Sequence, residues 1–173
     1  MSKSRAPERL ETSRLVLRMF CDEDWDAVAE FFADEDCVRY TTGSTQTHWQ
    51  SWRTLAAYVG HWTLRGYGPY AVAGRATGHT VGIVGLWFPG DWPEPELKWA
   101  LLKRFWGHGY ATEAAAAVIA MAKDDLGWRR LMSLIVAENL SSKAVAHRLG
   151  GVHEKTIPFR GGKAEIFAYT LES

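Results

Sequence analysis

A candidate phosphate-binding loop lies near the middle of the chain, in residues 104–111 (RFWGHGYA). Gly107 and Gly109 remove the Cβ atoms that would keep phosphate oxygens away, and they permit turns with positive φ. The loop lies between a predicted strand and an alanine-rich helix, whose N-terminus offers unpaired N–H groups and a partial positive charge. Arg104 could neutralise a phosphate or brace the loop. We therefore expect a pyrophosphate-binding turn, the alternative being a tight turn in which the glycines serve geometry only.

The composition restricts the class of protein. With 173 residues, 47% of them hydrophobic, the chain is long enough for one domain with a full core and too short for two. We therefore expect a single domain over residues 1–173. Lys plus Arg and Asp plus Glu both number 20, so the chain lacks the excess of positive charge that nucleic-acid binding draws on. Gly109 is not followed by Lys and Ser or Thr, which argues against a P-loop.

Several features bear on cellular location. The two cysteines, Cys21 and Cys37, are too few for a disulfide scaffold or for a metal-binding quartet, and we expect no metal. No run of 18 apolar residues predicts a membrane span, and the polar N-terminus lacks the apolar centre of a signal peptide. We expect a cytoplasmic protein that binds neither membranes nor nucleic acid.

The elements that position the loop follow from hydrophobic periodicity. The predicted order is strand, two helices, three antiparallel strands, helix, strand, helix and two strands. The predicted strands cover 14–20, 70–73, 80–87, 96–102, 130–136, 152–157 and 164–171, and the main helices cover 47–64, 110–126 and 142–149. A further helix is predicted to begin with Asp22 as its cap. The strand–helix–strand unit over 96–136 makes its two strands parallel neighbours, so the fold class is α/β or α+β with helices on both faces of a mixed sheet.

The loop and three other segments resemble a known family. Arg104-x-x-Gly107-x-Gly109 followed by residues 110–114 (YATEA) resembles the coenzyme A motif of the GCN5-related N-acetyltransferase (GNAT) superfamily. Within it, the chain is most similar to the RimJ/RimL-like branch, which acetylates ribosomal-protein N-termini. The resemblance extends over nearly the whole chain and includes residues 10–15 (LETSRL), 96–99 (ELKW) and 138–142 (ENLSS). It departs at Gly151, where the branch usually has a large aromatic residue.

This resemblance implies a mostly antiparallel sheet in which the parallel strands 96–102 and 130–136 splay to admit acetyl-CoA. The pantetheine arm would pair with backbone groups of residues 99–102, and the pyrophosphate would accept N–H bonds from residues 105–110. A backbone N–H near Ala100 or Leu101 would stabilise the oxyanion. The implied cofactor-binding residues are Trp99, Ala100, Leu101, Leu102, Arg104, Phe105, Trp106, Gly107, His108, Gly109, Tyr110, Ala111, Asn139, Ser142 and Lys143.

The resemblance also implies roles after the fifth predicted strand. Asn139 would hydrogen-bond the pantetheine arm, or instead cap the following helix. Ser142 would give a proton to the departing CoA thiolate, with helix capping as the alternative and Ser141 as a rival. Lys143 and Arg148 could contact CoA phosphates or simply form a solvated helix face.

Direct transfer to an amine requires a base, because an amine of pKa ~8–10 is mostly protonated at neutral pH. Glu96 is the candidate, since it begins the strand that would hold the thioester and the family often has an acidic residue there. Glu94 could replace it. The next candidates are His48, His61 and His108.

The acceptor is expected to bind between the first two helices and the turn that joins the last two strands. The possible walls are Trp49, Trp52, Trp62, Phe159 and Arg160. The family implies transfer of an acetyl group from acetyl-CoA to a primary amine, on a protein N-terminus or a small molecule. The alternative is a catalytically silent acyl-CoA-binding sensor or interaction module. A tryptophan-rich surface could also form a homodimer contact.

Overall fold

A computed structural model describes residues 5–172, which form one eight-stranded sheet with five α-helices around it. The strands are β1 (Arg9–Glu11), β2 (Leu15–Arg18), β3 (Pro69–Gly74), β4 (Thr80–Trp87), β5 (Glu96–Leu101), β6 (Arg130–Val136), β7 (Val152–Phe159) and β8 (Gly162–Thr170). The helices are α1 (Trp25–Ala33), α2 (Glu35–Val38), α3 (His48–Arg65), α4 (Tyr110–Asp124) and α5 (Leu140–Arg148). None of the described helices is both long and apolar enough to cross a bilayer.

The strand order in the sheet is β1-β2-β3-β4-β5-β6-β8-β7, and β5 and β6 are its parallel pair. One hydrophobic cluster packs α4 against one face of the sheet, and a second packs α1, α2 and part of α3 against the other. The predicted mixed, mostly antiparallel sheet with helices on both faces is therefore confirmed.

Three local predictions differ from the structure. The predicted strand over 14–20 is shorter, and it is the second strand of a hairpin whose first strand, β1, has only three residues. The helix predicted to be capped by Asp22 begins with a 3₁₀ turn over Asp22–Asp24, which Cys21 precedes as the N-cap, and α1 starts at Trp25. The four-residue helix α2 was not predicted. Segments this short contain too few residues to show a hydrophobic period.

Asp24, the last residue of the 3₁₀ turn, is only 1% exposed and bonds this turn to the sheet. Its carboxylate accepts hydrogen bonds from both terminal nitrogens of Arg18 at 2.7 and 2.9 Å and from the Thr80 hydroxyl at 2.8 Å. Burial by itself would raise the pKa of Asp24, but the bonds from Arg18, the Cys21 N–H and Thr80 outweigh it and lower the pKa. The ionised form is therefore the one that the fold stabilises.

Asp24→Ala is expected to lower the free energy of unfolding by about 3–5 kcal/mol, because it leaves the partly buried Arg18 charge without its partner. Urea denaturation at pH 7 measures the loss. Since the folded pKa is lowered, the contribution is complete above the ordinary pKa of 3.8 and is lost as the pH falls through the folded value. Asp26→Ala is the matched control, because the Asp26 side chain is 96% exposed. Equal stabilities of the two variants would contradict this assignment.

Candidate active site

A wedge opens between β5 and β6. Backbone pairing between the two strands is found only at Glu96 opposite Met132. One residue further on, the Ser133 hydroxyl bridges the gap by donating to the Leu97 carbonyl at 2.6 Å, and the Tyr169 hydroxyl donates to Ser133 at 3.0 Å. Beyond this bridge the facing edge of β5 lacks a strand partner, so a ligand can add there as a strand would.

The register of β5 determines which of its backbone groups face the wedge. The N–H of Leu102 donates to Val81 of β4 at 3.0 Å. Because successive residues of a strand direct their N–H and C=O groups to opposite edges, Ala100 also faces β4, whereas Trp99 and Leu101 face the wedge. Of the two expected oxyanion donors, the geometry therefore favours the N–H of Leu101 over that of Ala100. Leu102 contributes no backbone group to the wedge.

The candidate phosphate-binding loop (residues 104–111), here called the glycine loop, connects β5 to α4. It begins in a 3₁₀ turn over Lys103–Phe105. The N–H groups of Phe105 and Trp106, expected to bind pyrophosphate, already donate to the carbonyls of Leu102 and Lys103. Gly107 and Gly109 have φ values of 77° and 78°, a conformation that other residues adopt at a cost. In the described chain the N–H groups of residues 107–112 have no backbone acceptor, so the donors that are available to a ligand begin two residues later than the predicted range 105–110.

Arg14 and Glu113 hold this loop in place. The Arg14 side chain donates to the His108 carbonyl at 3.0 Å and pairs with Glu113 at 2.7 Å. Burial by itself would raise the pKa of Glu113, but hydrogen bonds from Thr12, Arg14 and Ser13 lower it to about 2. The β1–β2 turn is thereby fastened to the first turn of α4, which sequence reasoning did not foresee.

Arg104 braces the same region from the other side. Its guanidinium bonds Glu30 of α1 and lies 5.0 Å from the centre of the Phe105 ring. Of its two expected roles, the structure supports bracing rather than phosphate neutralisation.

A cavity of about 1010 Å³ extends along the loop and the wedge. Most of the predicted cofactor residues line it: Trp99, Ala100, Leu101, Phe105, Trp106, Gly107, Gly109, Tyr110, Ala111, Asn139 and Ser142. The predicted residues Leu102, Arg104, His108 and Lys143 do not. Arg148 lines the cavity, whereas Lys143 pairs with Glu165 of β8 at 2.7 Å. Of these two cations, Arg148 is therefore the better placed to contact a ligand in this cavity.

A second cavity of about 630 Å³ lies on the α1–α3 side of the sheet. The two cavities are adjacent at β5, since they share the lining residues Phe31, Tyr40, Thr41, Trp99, Ala100, Asn139 and Ser142. A ligand in the first cavity and one in the second would therefore lie next to each other at the centre of β5.

Glu96 lies in the wall of the second cavity and is 9% exposed. Its carboxylate accepts a hydrogen bond from the Trp92 indole at 2.9 Å. Burial raises the pKa of Glu96 to about 7, although Lys98, Trp92 and the backbone of Leu134 oppose the shift. A carboxyl group with this pKa can accept a proton near neutral pH.

The other candidate bases lie elsewhere. Arg130 binds Glu94 at 2.7 Å and holds its pKa below the ordinary value. His61 is enclosed between the Tyr67 carbonyl and the Phe88 N–H, and burial lowers its pKa. His48 stacks on the Trp25 ring, and the ring of His108 contacts the Trp106 carbonyl inside the loop. None of these four side chains lines the second cavity.

Asn139 and Ser142 lie where the cavities meet. The Asn139 side-chain oxygen caps α5 by accepting the Ser142 N–H at 3.1 Å, as the capping alternative predicted. The Ser142 hydroxyl accepts a hydrogen bond from the Trp99 indole at 3.2 Å. This hydroxyl takes no part in the cap of α5, which uses the Ser142 backbone N–H. The Asn139 amide NH₂ is not needed for the cap and can donate to a ligand.

Only some of the residues expected to wall the acceptor site line the second cavity. Phe159 and Arg160 line the second cavity, but Trp49 and Trp52 are 64% and 44% exposed on α3, and Trp62 is wholly buried in the core. Sequence reasoning missed the walls formed by Trp87, Trp92, Tyr40 and Thr41. Trp92 lies within the proline-rich stretch 89–95, and Tyr40 and Thr41 follow the unpredicted helix α2, so no hydrophobic period indicated their positions. Gly151 has no room for an aromatic side chain, because a Cβ there would lie 2.8 Å from the Tyr169 ring.

Comparison with known proteins agrees with this geometry. Residues 14–152 match the acetyltransferase (GNAT) domain family. The uncharacterized Bacillus subtilis protein YkkB is 30% identical over 164 residues, which cover 88% of this chain and 90% of that protein. A crystal structure of an acetyltransferase from Agrobacterium tumefaciens str. C58 is 29% identical, with a TM-score of 0.85 over 95% of each chain.

The structure of RimL, a ribosomal L7/L12 alpha-N-protein acetyltransferase in complex with coenzyme A, is 16% identical and has a TM-score of 0.78 over 95% of this chain and 98% of that one. At this identity it is evidence for a shared fold alone. Fold and family match together define an acyltransferase enzyme, rather than a catalytically silent module. The chain belongs to the GNAT acetyltransferase family.

Proposed function

We propose that the protein transfers an acetyl group from acetyl-CoA directly to a primary amine. The observation that carries this proposal is that the two cavities adjoin at β5, with the glycine loop lining the first cavity and Glu96 lying in the wall of the second. We further propose that residues 1–173 form one N-acetyltransferase domain. The unpaired Cys21 and Cys37 support a cytoplasmic location.

The cavity along the wedge fits acetyl-CoA. The free N–H groups of residues 107–112 would bind the pyrophosphate, and Arg148 would add a positive charge beside it. The wedge-facing groups of Trp99 and the Asn139 amide would hold the pantetheine arm. Acetyl-CoA would supply an acetyl group activated as a thioester.

Residues around the centre of β5 would stabilise the developing charge and transfer the protons. The amine nitrogen forms a bond to the acetyl carbon, the carbon–sulfur bond breaks, and the amine proton passes to Glu96. The N–H of Leu101 would stabilise negative charge on the acetyl oxygen. Ser142 would pass a proton to the leaving sulfur and take one up from solvent, so that its hydroxyl is restored. Holding both substrates in line supplies much of the rate, and no covalent enzyme intermediate is required.

The RimJ/RimL-like branch is also a proposal. It is supported by the segments 10–15, 96–99 and 138–142. A protein N-terminus is the acceptor that this branch implies, and a small-molecule amine is the alternative.

Ser142→Ala is expected to lower kcat about tenfold, because a thiolate with a pKa of ~8.5 leaves more slowly without a proton donor but still leaves. The melting temperature should fall by only about 2–4 °C, because Asn139 caps α5 through a backbone N–H that alanine retains and only the hydrogen bond from the Trp99 indole is lost. Steady-state kinetics and thermal melting measure the two effects. If kcat falls in Ser141→Ala and stays normal in Ser142→Ala, the proton donor is Ser141.

Thiol release from acetyl-CoA in the presence of a panel of amines tests the proposed function. The panel contains N-terminal peptides, amino acids, polyamines and aminoglycosides, and mass spectrometry of each product locates the acetyl group. We expect saturable acetyl-CoA binding by calorimetry and amine-dependent thiol release. Saturable binding with no release for any amine would contradict the transfer.

A further inference from the structure

The charge in the second cavity is unlike that of the whole chain. The protein has equal numbers of acidic and basic residues. The charged residues that line this cavity are three cations, Arg53, Lys98 and Arg160, and one carboxyl group, Glu96. Even when Glu96 is ionised, the cavity retains a positive balance, which favours an acceptor that carries negative charge.

Lys98 is the cation that lies nearest in sequence to the proposed base. Residues two apart on a strand lie on the same face, so Glu96 and Lys98 both point from β5 towards α1 and α3. The Lys98 ammonium donates to the Tyr58 hydroxyl at 3.4 Å and lies 5.2 and 5.4 Å from the ring centres of Tyr58 and Trp87. In the described chain it forms no ion pair with a carboxylate, so its charge is available to a ligand.

Arg160 places a second cation on the opposite wall. It lies in the β7–β8 turn with a φ of 47°, its guanidinium bonds the Thr41 carbonyl, and it lies 4.9 Å from the centre of the Phe159 ring. Aromatic side chains form part of the remaining wall, where Trp92 packs edge-to-face on Phe159 at 6.0 Å, and polar side chains of residues 41–54 form another part. An acceptor in this cavity therefore meets cations beside aromatic rings and neutral polar groups.

We propose that the acceptor is a small aminocarboxylate with an apolar or aromatic body, whose carboxylate binds Lys98 while its amine lies at Glu96. This inference rests on the proposed function. Two residues along a strand rise roughly 7 Å, so the amine and the anion must lie within a few bonds of each other in one molecule. A free amino acid meets this condition, whereas the first residue of a peptide lacks the adjacent carboxylate.

Matched acceptors test the proposal. Phenylalanine is compared with phenethylamine, which has the same ring and a basic amine without a carboxylate, and with phenylalaninamide, which imitates a peptide N-terminus. 2-Aminoethyl phosphate against ethanolamine reports whether a phosphate can replace the carboxylate. We expect kcat/KM for phenylalanine to exceed that of both analogues without a carboxylate by about tenfold or more, as for a hydrogen bond to a charged group. Equal or better turnover of the amines without a carboxylate, or a preference for phosphate, would overturn the proposal.

Substitution of Lys98 separates anion binding from an effect on Glu96. Lys98→Met keeps the apolar stem and should raise KM for phenylalanine about tenfold relative to KM for phenethylamine. Because the Lys98 charge lowers the pKa of Glu96, the pH profiles of both acceptors should move up together in this variant. Lys98→Arg should restore the preference for phenylalanine. An equal loss for both acceptors would show that Lys98 acts only through Glu96, and would overturn the proposal. Lys155→Met removes a positive charge from β7 outside both cavities and serves as the control.

A calorimetric titration without acetyl-CoA distinguishes failure of the proposed anion site from failure of the proposed acetyl transfer. Binding of phenylalanine but not of phenethylamine would support the anion site even where no acceptor is acetylated, in which case only the proposed transfer fails. Transfer to amines without a carboxylate, together with no binding preference for phenylalanine, would overturn the anion site and leave the proposed function standing.

Discussion

Glu96→Gln is expected to lower kcat by about 100-fold or more, with little change in the Kd for acetyl-CoA. General-base catalysis typically contributes 10²–10⁴-fold, and glutamine keeps the shape of the side chain but cannot accept the proton. Glu96 lies in the wall of the second cavity and outside the lining of the cavity proposed for acetyl-CoA, so donor binding should be preserved. Steady-state kinetics with the best acceptor of the panel and calorimetry with acetyl-CoA measure the two quantities.

The pH profile supplies an independent test of the same residue. Burial raises the pKa of Glu96 to about 7, and the carboxyl group acts as a base only when ionised. For the wild-type protein, kcat/KM should therefore rise with pH through about 7. In Glu96→Gln this limb should disappear and leave only the dependence that comes from the acceptor amine itself.

Glu94→Gln is the matched control, because it changes an acid only two residues away that is held by Arg130 outside the cavity. We expect its kcat and pH profile to match those of the wild type. Unchanged turnover in Glu96→Gln, or a loss confined to Glu94→Gln, would remove Glu96 from the mechanism.

Gly107→Val is expected to abolish acetyl-CoA binding while the protein stays folded. Gly107 has a φ of 77°, and the left-handed region costs an L-residue roughly 1–2 kcal/mol, more for a β-branched one. A Cβ at this position would meet no protein atom within 4 Å, so valine is strained locally without clashing with the core. The loop should respond by turning its N–H groups away from the pyrophosphate position, and the side chain would project where the phosphate is proposed to bind.

Calorimetric titration with acetyl-CoA and urea denaturation measure these effects. Gly78→Val is the control, since Gly78 has a φ of 71°, equally open surroundings and a position in the β3–β4 turn outside both cavities. The two variants should lose similar stability, and only Gly107→Val should lose binding. Normal affinity in Gly107→Val would refute the assignment of the loop.

The sequence by itself predicted the parts of the fold that rest on local patterns. Two glycines between an apolar strand and an alanine-rich helix indicated the loop, and the strand–helix–strand unit required β5 and β6 to be parallel neighbours. Glu96 could be singled out because it begins β5. These features depend on residue type and period along a single stretch of chain, which is information that the sequence contains directly.

Only the tertiary structure decided which side chains meet across the sheet. The pKa of Glu96 is raised by burial and lowered in part by the hydrogen bond from Trp92, and the Lys98 ammonium lies beside the rings of Tyr58 and Trp87. Trp49, Trp52 and Trp62 were indistinguishable as sequence letters, yet two are exposed on α3 and one is buried in the core. Likewise, Lys143 could be assigned to Glu165 rather than to a phosphate only when α5 and β8 lay side by side. Burial and pairing are properties of two or more segments together, and no pattern within one segment determines them.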